Sequence, residues 1–240
     1  MKLIVCKNYE EMSAAAAQVV ADVMKQKPAC VLGLATGSTP VGMYQKLIEM
    51  NKAGEIDFSK VSTVNLDEYY PISPDNDQSY RYFMNQNLFN HVNIDKARTF
   101  VPDGMASDPA AACEAYEETV AGVGAADIQV LGIGQNGHIG FNEPDSALEV
   151  KTHVTGLTES TIKANARFFA SEADVPTKAL TMGIGTILGA KKIIILANGA
   201  AKHEAISKML EGKLDTSCPA SMLNLHKDVV VVCDEAAYNG

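Results

Sequence analysis

The segment CVLGLATGSTP, residues 30–40, decides the fold. Its first part, Cys30–Ala35, is a continuous apolar run of the kind found in strands that are buried on both faces of a parallel sheet. A glycine between hydroxyl residues follows at once, and Pro40 then opens an amphipathic stretch that runs to Asn51. A strand, a short polar turn and a helix in this order predict a βα unit of an α/β domain.

The same alternation recurs along the chain. The other apolar runs that predict strands are Leu3–Cys6, Val61–Leu66, Ile128–Ile133, Lys192–Ala197 and Val229–Cys233. The segments that predict helices are Tyr9–Lys25, Pro40–Asn51, Ser79–His91, Pro109–Val123 and Ala200–Glu211. Because such crossovers are right-handed, we expect an α/β fold with a doubly wound, mostly parallel sheet, a Rossmann-like three-layer αβα sandwich. We interpret residues 1–240 as one domain with a small lid segment at about 146–188, where the alternation breaks; an ordinary peripheral αβ excursion is the alternative there.

Composition narrows the classes of function. The net charge is −9 and the basic residues are scattered, which argues against nucleic acid as a partner. No apolar run approaches the roughly 20 residues of a membrane span, and the N-terminus has the pattern of a strand rather than of a secretory signal. Five cysteines, an odd number without metal-ligand spacing, predict free thiols and a cytoplasmic location. An anionic substrate would therefore need a locally built positive potential.

Three strand-to-helix turns carry candidate site residues, because ligands of doubly wound sheets bind where strands end. The first turn contains Thr36, Gly37, Ser38 and Thr39, with Thr39 as the expected N-cap and Pro40 as the first helical residue. Free N–H groups and hydroxyls at a helix start can bind a phosphate group. A routine βα turn without a ligand is the alternative.

The second turn, Leu66–Tyr70, places two acids at the end of a buried strand. A carboxylate that is partly desolvated there becomes more basic and can act as a general base. A solvated loop or a helix cap is the alternative.

The third turn, Gly132–Pro144, contains a literal G-x-G-x-x-G. It does not predict a dinucleotide site, since Asn142-Glu143-Pro144 interrupts any helix that could follow. His138 and Glu143 form a candidate general-base pair in which the carboxylate orients the imidazole. The histidines lack metal-ligand spacing, so we predict no metal site. Two basic residues, Arg167 and Lys202, come from other segments that could reach the first turn.

Six segments together resemble glucosamine-6-phosphate deaminases, in the right order over nearly the whole chain. They are LATGSTP (34–40), NLDEY (65–69), GIGQNGHIGFNEP (132–144), ANARFF (164–169), ALTMGIGTIL (179–188) and CDE (233–235). The long glycine-rich segment is highly specific, whereas TGSTP resembles a turn of phosphogluconolactonases as well.

The resemblance implies that glucosamine 6-phosphate and water give fructose 6-phosphate and ammonia, without a metal or organic cofactor. It implies that His138 opens the sugar ring, oriented by Glu143 and Asn136, and that Asp67 moves a proton from C2 to C1. The implied phosphate-binding residues are Thr36, Gly37, Ser38, Thr39, Arg167 and Lys202.

Departures from the family pattern concern regulation. Asn136 replaces an aspartate of some members, and His153 and Thr155 stand where regulated members carry basic residues that bind an activator's phosphate. We therefore expect no activation by N-acetylglucosamine 6-phosphate. Because the sequence stops soon after residues 233–235, short of the C-terminal extension of the hexameric regulated members, we also expect a monomer, with a homo-oligomer as the alternative. The rival functions are a 6-phosphogluconolactonase and a non-catalytic sugar-phosphate sensing domain.

Overall fold

The structure, a computed structural model, describes residues 1–157 and 175–240. Its strands are β1 (Lys2–Cys6), β2 (Val31–Leu34), β3 (Ser62–Asn65), β4 (Asp67–Tyr70), β5 (Thr99–Phe100), β6 (Ile128–Gly132), β7 (His153–Gly156), β8 (Lys178–Thr181), β9 (Ile193–Ala197) and β10 (Val229–Asp234). Its α-helices are α1 (Tyr9–Gln26), α2 (Val41–Lys52), α3 (Tyr80–Asn87), α4 (Pro109–Val123), α5 (Ile184–Leu188), α6 (His203–Leu210) and α7 (Glu235–Asn239). Short 3₁₀ segments occupy Phe89–His91, Lys96–Arg98, Ala200–Lys202 and Pro219–Leu225.

Seven strands form a parallel sheet in the order β1-β10-β9-β6-β2-β3-β5. The central strands are buried on both faces, as their apolar sequences require; every residue of β9 has no exposed surface. All six predicted strands are present, and the prediction of a doubly wound, mostly parallel α/β sheet is confirmed.

The direction of winding changes between β2 and β6. These strands are hydrogen-bonded neighbours, yet the chain leaves β2 towards β3 on one side, and β6 is followed in the large sheet by β9 on the other. The loops after β2 and β6 therefore diverge at their carboxyl ends and leave a crevice between them.

A second, antiparallel sheet of three strands in the order β4-β8-β7 lies beyond the end of β3. Strands β4, β5, β7 and β8 are not among the strands predicted from the sequence. Strands β7 and β8 and helix α5 fall within the segment 146–188. Residues 158–174, including Arg167, lie outside the described residues, and the lid stays a prediction.

The helix boundaries follow local capping chemistry. Asn8 caps α1 by accepting from Glu11 N at 2.9 Å, and Asp108 caps α4 just before Pro109. Helix α2 differs from expectation, because Pro40 takes the N-cap position without a side-chain cap and the helix starts at Val41. The hydroxyl of Thr39 is instead used in a contact with another loop.

The core lies between the large sheet and its helices, and its largest fully buried side chains include Tyr44, Phe58 and Phe89. Among the described residues, no helix combines the length and the apolar character that crossing a membrane requires.

Candidate active site

A cavity of about 640 Å³ opens at the crevice between β2 and β6. Nine of the ten site residues predicted from the sequence line this cavity, and the tenth, Arg167, lies outside the described residues. The lining residues among them are Thr36, Gly37, Ser38, Thr39, Asp67, Asn136, His138, Glu143 and Lys202. Tyr80 and Phe141 add aromatic surface. The structure therefore brings the three turns together around one cavity.

One end of the cavity is built from backbone. Gly37 has a φ of 90°, a left-handed conformation that favours glycine and that turns the chain sharply after β2. The N–H groups of Gly37, Ser38 and Thr39 donate to no acceptor within residues 1–157 and 175–240. Lys202 lines the same end, forms no ion pair with a described residue, and has its pKa lowered by burial. Backbone N–H groups that have no acceptor among the described residues, beside a lysine that forms no ion pair with them, are suited to binding an anion.

Contacts from distant segments hold this end in shape. Thr39 Oγ1 donates to Asn198 Oδ1 at 2.9 Å, which joins the turn after β2 to the loop after β9. In that loop, Gly199 N donates to both carboxylate oxygens of Asp234, at 3.0 and 3.1 Å, and this contact fixes the start of the segment that carries Lys202. Tyr9 accepts from Gly42 N at 2.8 Å and donates to Ser38 O at 3.0 Å.

Asn198, Asp234 and Tyr9 were not predicted as site residues. Asp234 could have been found, since it ends a buried apolar strand at the sheet edge where ligands bind. Tyr9 could not, because nothing in its local sequence signals a contact with a turn about 30 residues away.

Asp67, the first residue of β4, also lines the cavity. It is 6% exposed, and its carboxylate accepts no hydrogen bond from a described residue. Burial, with a contribution from the negative charge of Glu68, raises the pKa of Asp67 to about 8. A carboxyl group of that pKa can take up and release a proton near neutrality.

Glu68 has a different role from its neighbour. Its carboxylate accepts from the backbone N–H groups of Tyr69, Tyr80 and Arg81, at 2.9, 2.8 and 2.9 Å, and so caps the start of α3. The helix-cap alternative that the sequence left open for this turn therefore applies to Glu68, while Asp67 faces the cavity.

Asn136, His138 and Glu143 form one hydrogen-bonded group. His138 Nδ1 lies 2.7 Å from Asn136 Oδ1 and 3.3 Å from Glu143 Oε1, and Asn136 Nδ2 donates to Glu143 Oε2 at 2.6 Å. Since Nδ1 faces two acceptors, we assign the proton to Nδ1, which leaves a lone pair on Nε2. The hydrogen bond from His138 is the largest cause that lowers the pKa of Glu143.

Glycines and an amide fix the loop that carries this group. A side chain on Gly134 would collide with the ring of His138, so glycine is required for the ring to occupy its position. Asn142 Nδ2 donates to Ile139 O at 2.9 Å and to Met182 O at 2.8 Å, and Phe141 N donates to Thr181 Oγ1 at 3.1 Å. These bonds attach the loop to the small sheet, whose strand β4 begins with Asp67.

The cavity thus combines backbone N–H donors and a lysine with a buried carboxyl group and an imidazole. Its buried carboxyl group is suited to removing a proton from carbon, and its imidazole is suited to moving a proton on oxygen. No group of three or more metal-ligating side chains occurs among the described residues.

The fold and this cavity are those of the α/β class of proteins that bind ligands at the switch point of a doubly wound sheet. The chain belongs to the family of glucosamine-6-phosphate isomerases and 6-phosphogluconolactonases, whose model matches residues 7–232.

Curated relatives match over nearly their whole length. A glucosamine-6-phosphate deaminase of Clostridium perfringens strain 13 is 58% identical over 99% of this chain and 98% of its own. One from Thermoanaerobacter sp. strain X514 is 57% identical over 99% and 94%. A solved structure of a monomeric glucosamine-6-phosphate deaminase is 49% identical, with a TM-score of 0.95, and covers 100% of this chain and 99% of its own.

Solved structures of the other branch of the family are more distant. The 6-phosphogluconolactonase of Trypanosoma brucei is 20% identical, with a TM-score of 0.78, over 99% of this chain and 97% of its own. That likeness shows a shared fold and nothing further.

Proposed function

We propose that this protein is a glucosamine-6-phosphate deaminase, a hydrolase that converts D-glucosamine 6-phosphate and water into D-fructose 6-phosphate and ammonia. The observation that carries the proposal is the convergence of Asp67, the Asn136–His138–Glu143 group and a set of anion donors on one cavity. The names of relatives at 57–58% identity over the full length support the same activity.

The phosphate group binds at the turn Thr36–Thr39 and to Lys202 and does no chemistry there. Backbone N–H groups and a lysine ammonium form charge-assisted hydrogen bonds to phosphate oxygens. We assign Arg167 to the same anion on the resemblance of its sequence segment. Binding energy at this end orients the reacting carbons at the other end.

His138 opens the pyranose ring. Its Nε2 takes the proton of the C1 hydroxyl group while the C1–O5 bond breaks, and the imidazolium so formed returns that proton to the ring oxygen. The carboxylate of Glu143 and the amide oxygen of Asn136 orient the ring and stabilise its charged form. The product is the open-chain amino aldose.

Asp67 then performs the isomerisation. Its carboxylate removes the proton from C2 while O1 gains a proton, which gives an enol-amine. The enol-amine takes the C2 proton back at C1 while its nitrogen loses a proton, which gives the imine of the ketose. Water adds to the imine carbon at C2 and ammonia leaves, so one water is consumed for each ammonia released.

We also infer how the protein is regulated, whether it assembles and where it is located. His153 and Thr155 lie on β7, where His153 Nδ1 is 2.9 Å from Lys151 O and Thr155 carries no charge. We infer a monomer that N-acetylglucosamine 6-phosphate does not activate. The solved monomeric relative and the five free cysteines support a monomer in the cytoplasm. A sigmoidal-to-hyperbolic change on adding the compound at sub-saturating substrate would contradict the absence of activation.

The decisive test is an assay of purified protein with glucosamine 6-phosphate that measures both ammonia and fructose 6-phosphate. Equal amounts of the two products are expected. A parallel assay with 6-phosphogluconolactone tests the rival hydrolase, and we expect no hydrolysis above the uncatalysed rate. Phosphate binding without turnover of either compound would favour a sensing domain instead.

A further inference from the structure

Glu68 is buried beside the proposed general base, and the mechanism above gives it no role. It is 2% exposed, in the middle of β4, and its side chain points to the opposite face of the strand from Asp67 and Tyr69. A carboxylate rarely occupies such a position unless its oxygens are fully used. Here they accept three backbone N–H groups, one from β4 itself and two from the first turn of α3.

These bonds join β4 to the start of α3, beside the ring contact of Tyr69 with Tyr80. Strand β4 is tied on one side to β8, where Asp67 pairs with Thr181. The carboxylate of Glu68 connects the strand to α3, whose first residue is Tyr80. The direction from which α3 enters the site therefore depends on this carboxylate.

Tyr80, the first residue of α3, connects the bonds of Glu68 to the cavity. Its ring lines the cavity, and its hydroxyl group interacts with the side chains of Thr36 and Tyr69. The ring centroid lies 4.7 Å from that of Tyr69 and 6.1 Å from that of Phe141, with the Phe141 ring stacked at 7°. Tyr80 thus touches the strand of the base, the loop of His138 and Glu143, and the end of β2 that starts the anion turn.

We propose that Glu68 is a positioning residue that fixes Asp67 relative to the anion end of the cavity, by clamping β4 to the start of α3 and so seating Tyr80 between the two. The proposal rests on the proposed function, since it assigns Asp67 to proton transfer. Its consequence is specific: the distance between the bound phosphate and the proton-transferring carboxylate is set by a side chain that never touches the substrate.

Glu68→Gln is the test variant, because it keeps the size of the side chain and removes one acceptor. In either orientation of the amide, its NH₂ group faces at least one of the three N–H donors at a position that is 2% exposed. The clamp must open on one side, and a displacement of about 1 Å at a reacting group can cost about 100-fold in rate. We expect kcat to fall about 10- to 100-fold, while the Kd for inorganic phosphate, measured by titration calorimetry, changes less than threefold.

Ser79→Ala is the matched control. Ser79 caps the same helix by accepting from Tyr82 N at 2.9 Å, but its side chain has no bond to β4. We expect this variant to lose thermal stability like Glu68→Gln and to keep kcat within threefold. Equal losses of kcat in the two variants, or a loss of phosphate affinity in Glu68→Gln that parallels its loss of kcat, would reduce Glu68 to an ordinary helix cap.

Two further measurements keep the outcome unambiguous. If Glu68→Gln does not fold, Glu68→Asp decides, since it retains the charge but is too short to reach α3; an unchanged kcat there overturns the proposal. Wild-type protein is assayed first. If it releases no ammonia, both proposals fall, whereas an active wild type with a fully active Glu68→Gln variant overturns the positioning role alone.

Discussion

The two ends of the cavity are built in different ways. The anion end consists of backbone N–H groups after β2 and one lysine, and it is shaped by contacts such as Thr39 with Asn198 and Gly199 with Asp234. The other end consists of side chains, a buried carboxyl group and an imidazole held by an amide and a carboxylate. Backbone donors survive most single substitutions, whereas each proton-transferring side chain is unique. Substitutions should therefore separate binding from chemistry.

The largest loss is expected from Asp67→Asn. The amide has nearly the same shape but cannot accept the C2 proton, and a positioned base contributes on the order of 10²–10⁴ in rate. We expect kcat to fall by that factor while the Kd for inorganic phosphate is unchanged, as measured by ammonia release and calorimetry. Retained turnover would show that another group removes the proton, and lost phosphate affinity would show that the two ends are not independent.

His138→Gln should cost less than Asp67→Asn. The sugar ring also opens without an enzyme, so the loss of the imidazole removes acceleration from a step that water can perform slowly. We expect kcat to fall roughly 100-fold, within the range for general acid–base catalysis. Raising the temperature speeds the uncatalysed opening of the sugar ring, so the difference in kcat between His138→Gln and wild type should become smaller. A loss larger than that of Asp67→Asn would assign the C2 proton to His138.

Much of the difference between the two parts of the cavity could be predicted from the sequence. The buried strands were predictable because their apolar runs are continuous, and the turn Thr36–Pro40 and the loop Gly132–Pro144 were singled out because ligands of doubly wound sheets bind where strands end. The small sheet was missed since β4 and β8 are only four residues long and β4 is polar.

The sequence could not show which of the two neighbouring acids faces the cavity. Asp67 and Glu68 have similar local signals, and only the strand face and the position of α3 make one a cavity residue and the other a clamp. Contacts such as that of Tyr80 with Thr36 join segments that are far apart in the chain, so no local pattern encodes them.

At the anion end, Lys202→Met should weaken binding more than catalysis. A hydrogen bond from a charged group contributes about 1.5–3 kcal/mol, which corresponds to roughly 10- to 100-fold in affinity. We expect KM for glucosamine 6-phosphate to rise by that factor and kcat to fall less than fivefold. Lys208→Met, which breaks only an exposed pair with Glu204, is the matched control and should leave both constants unchanged. Equal effects on kcat and KM in Lys202→Met would place the lysine near the reacting atoms.

The smallest effect, and the one of opposite sign, concerns stability. The pKa of Asp67 is raised to about 8 in the folded protein, well above that of an unfolded chain, so the carboxyl group favours folding at low pH and this contribution is lost as the pH rises through 8. Asp67→Asn removes the cost of holding a buried, unbonded charge. The variant should be as stable as wild type near pH 4, and at pH 9 it should unfold at a higher temperature, by roughly 2–4 °C for each kcal/mol gained. Calorimetric scans at both pH values measure this difference. A lower unfolding temperature of Asp67→Asn at pH 9 would mean that the folded protein stabilises the charged form of the Asp67 carboxylate. Both parts of the cavity would then stabilise a negative charge, and the pKa of Asp67 would have no reason to be raised.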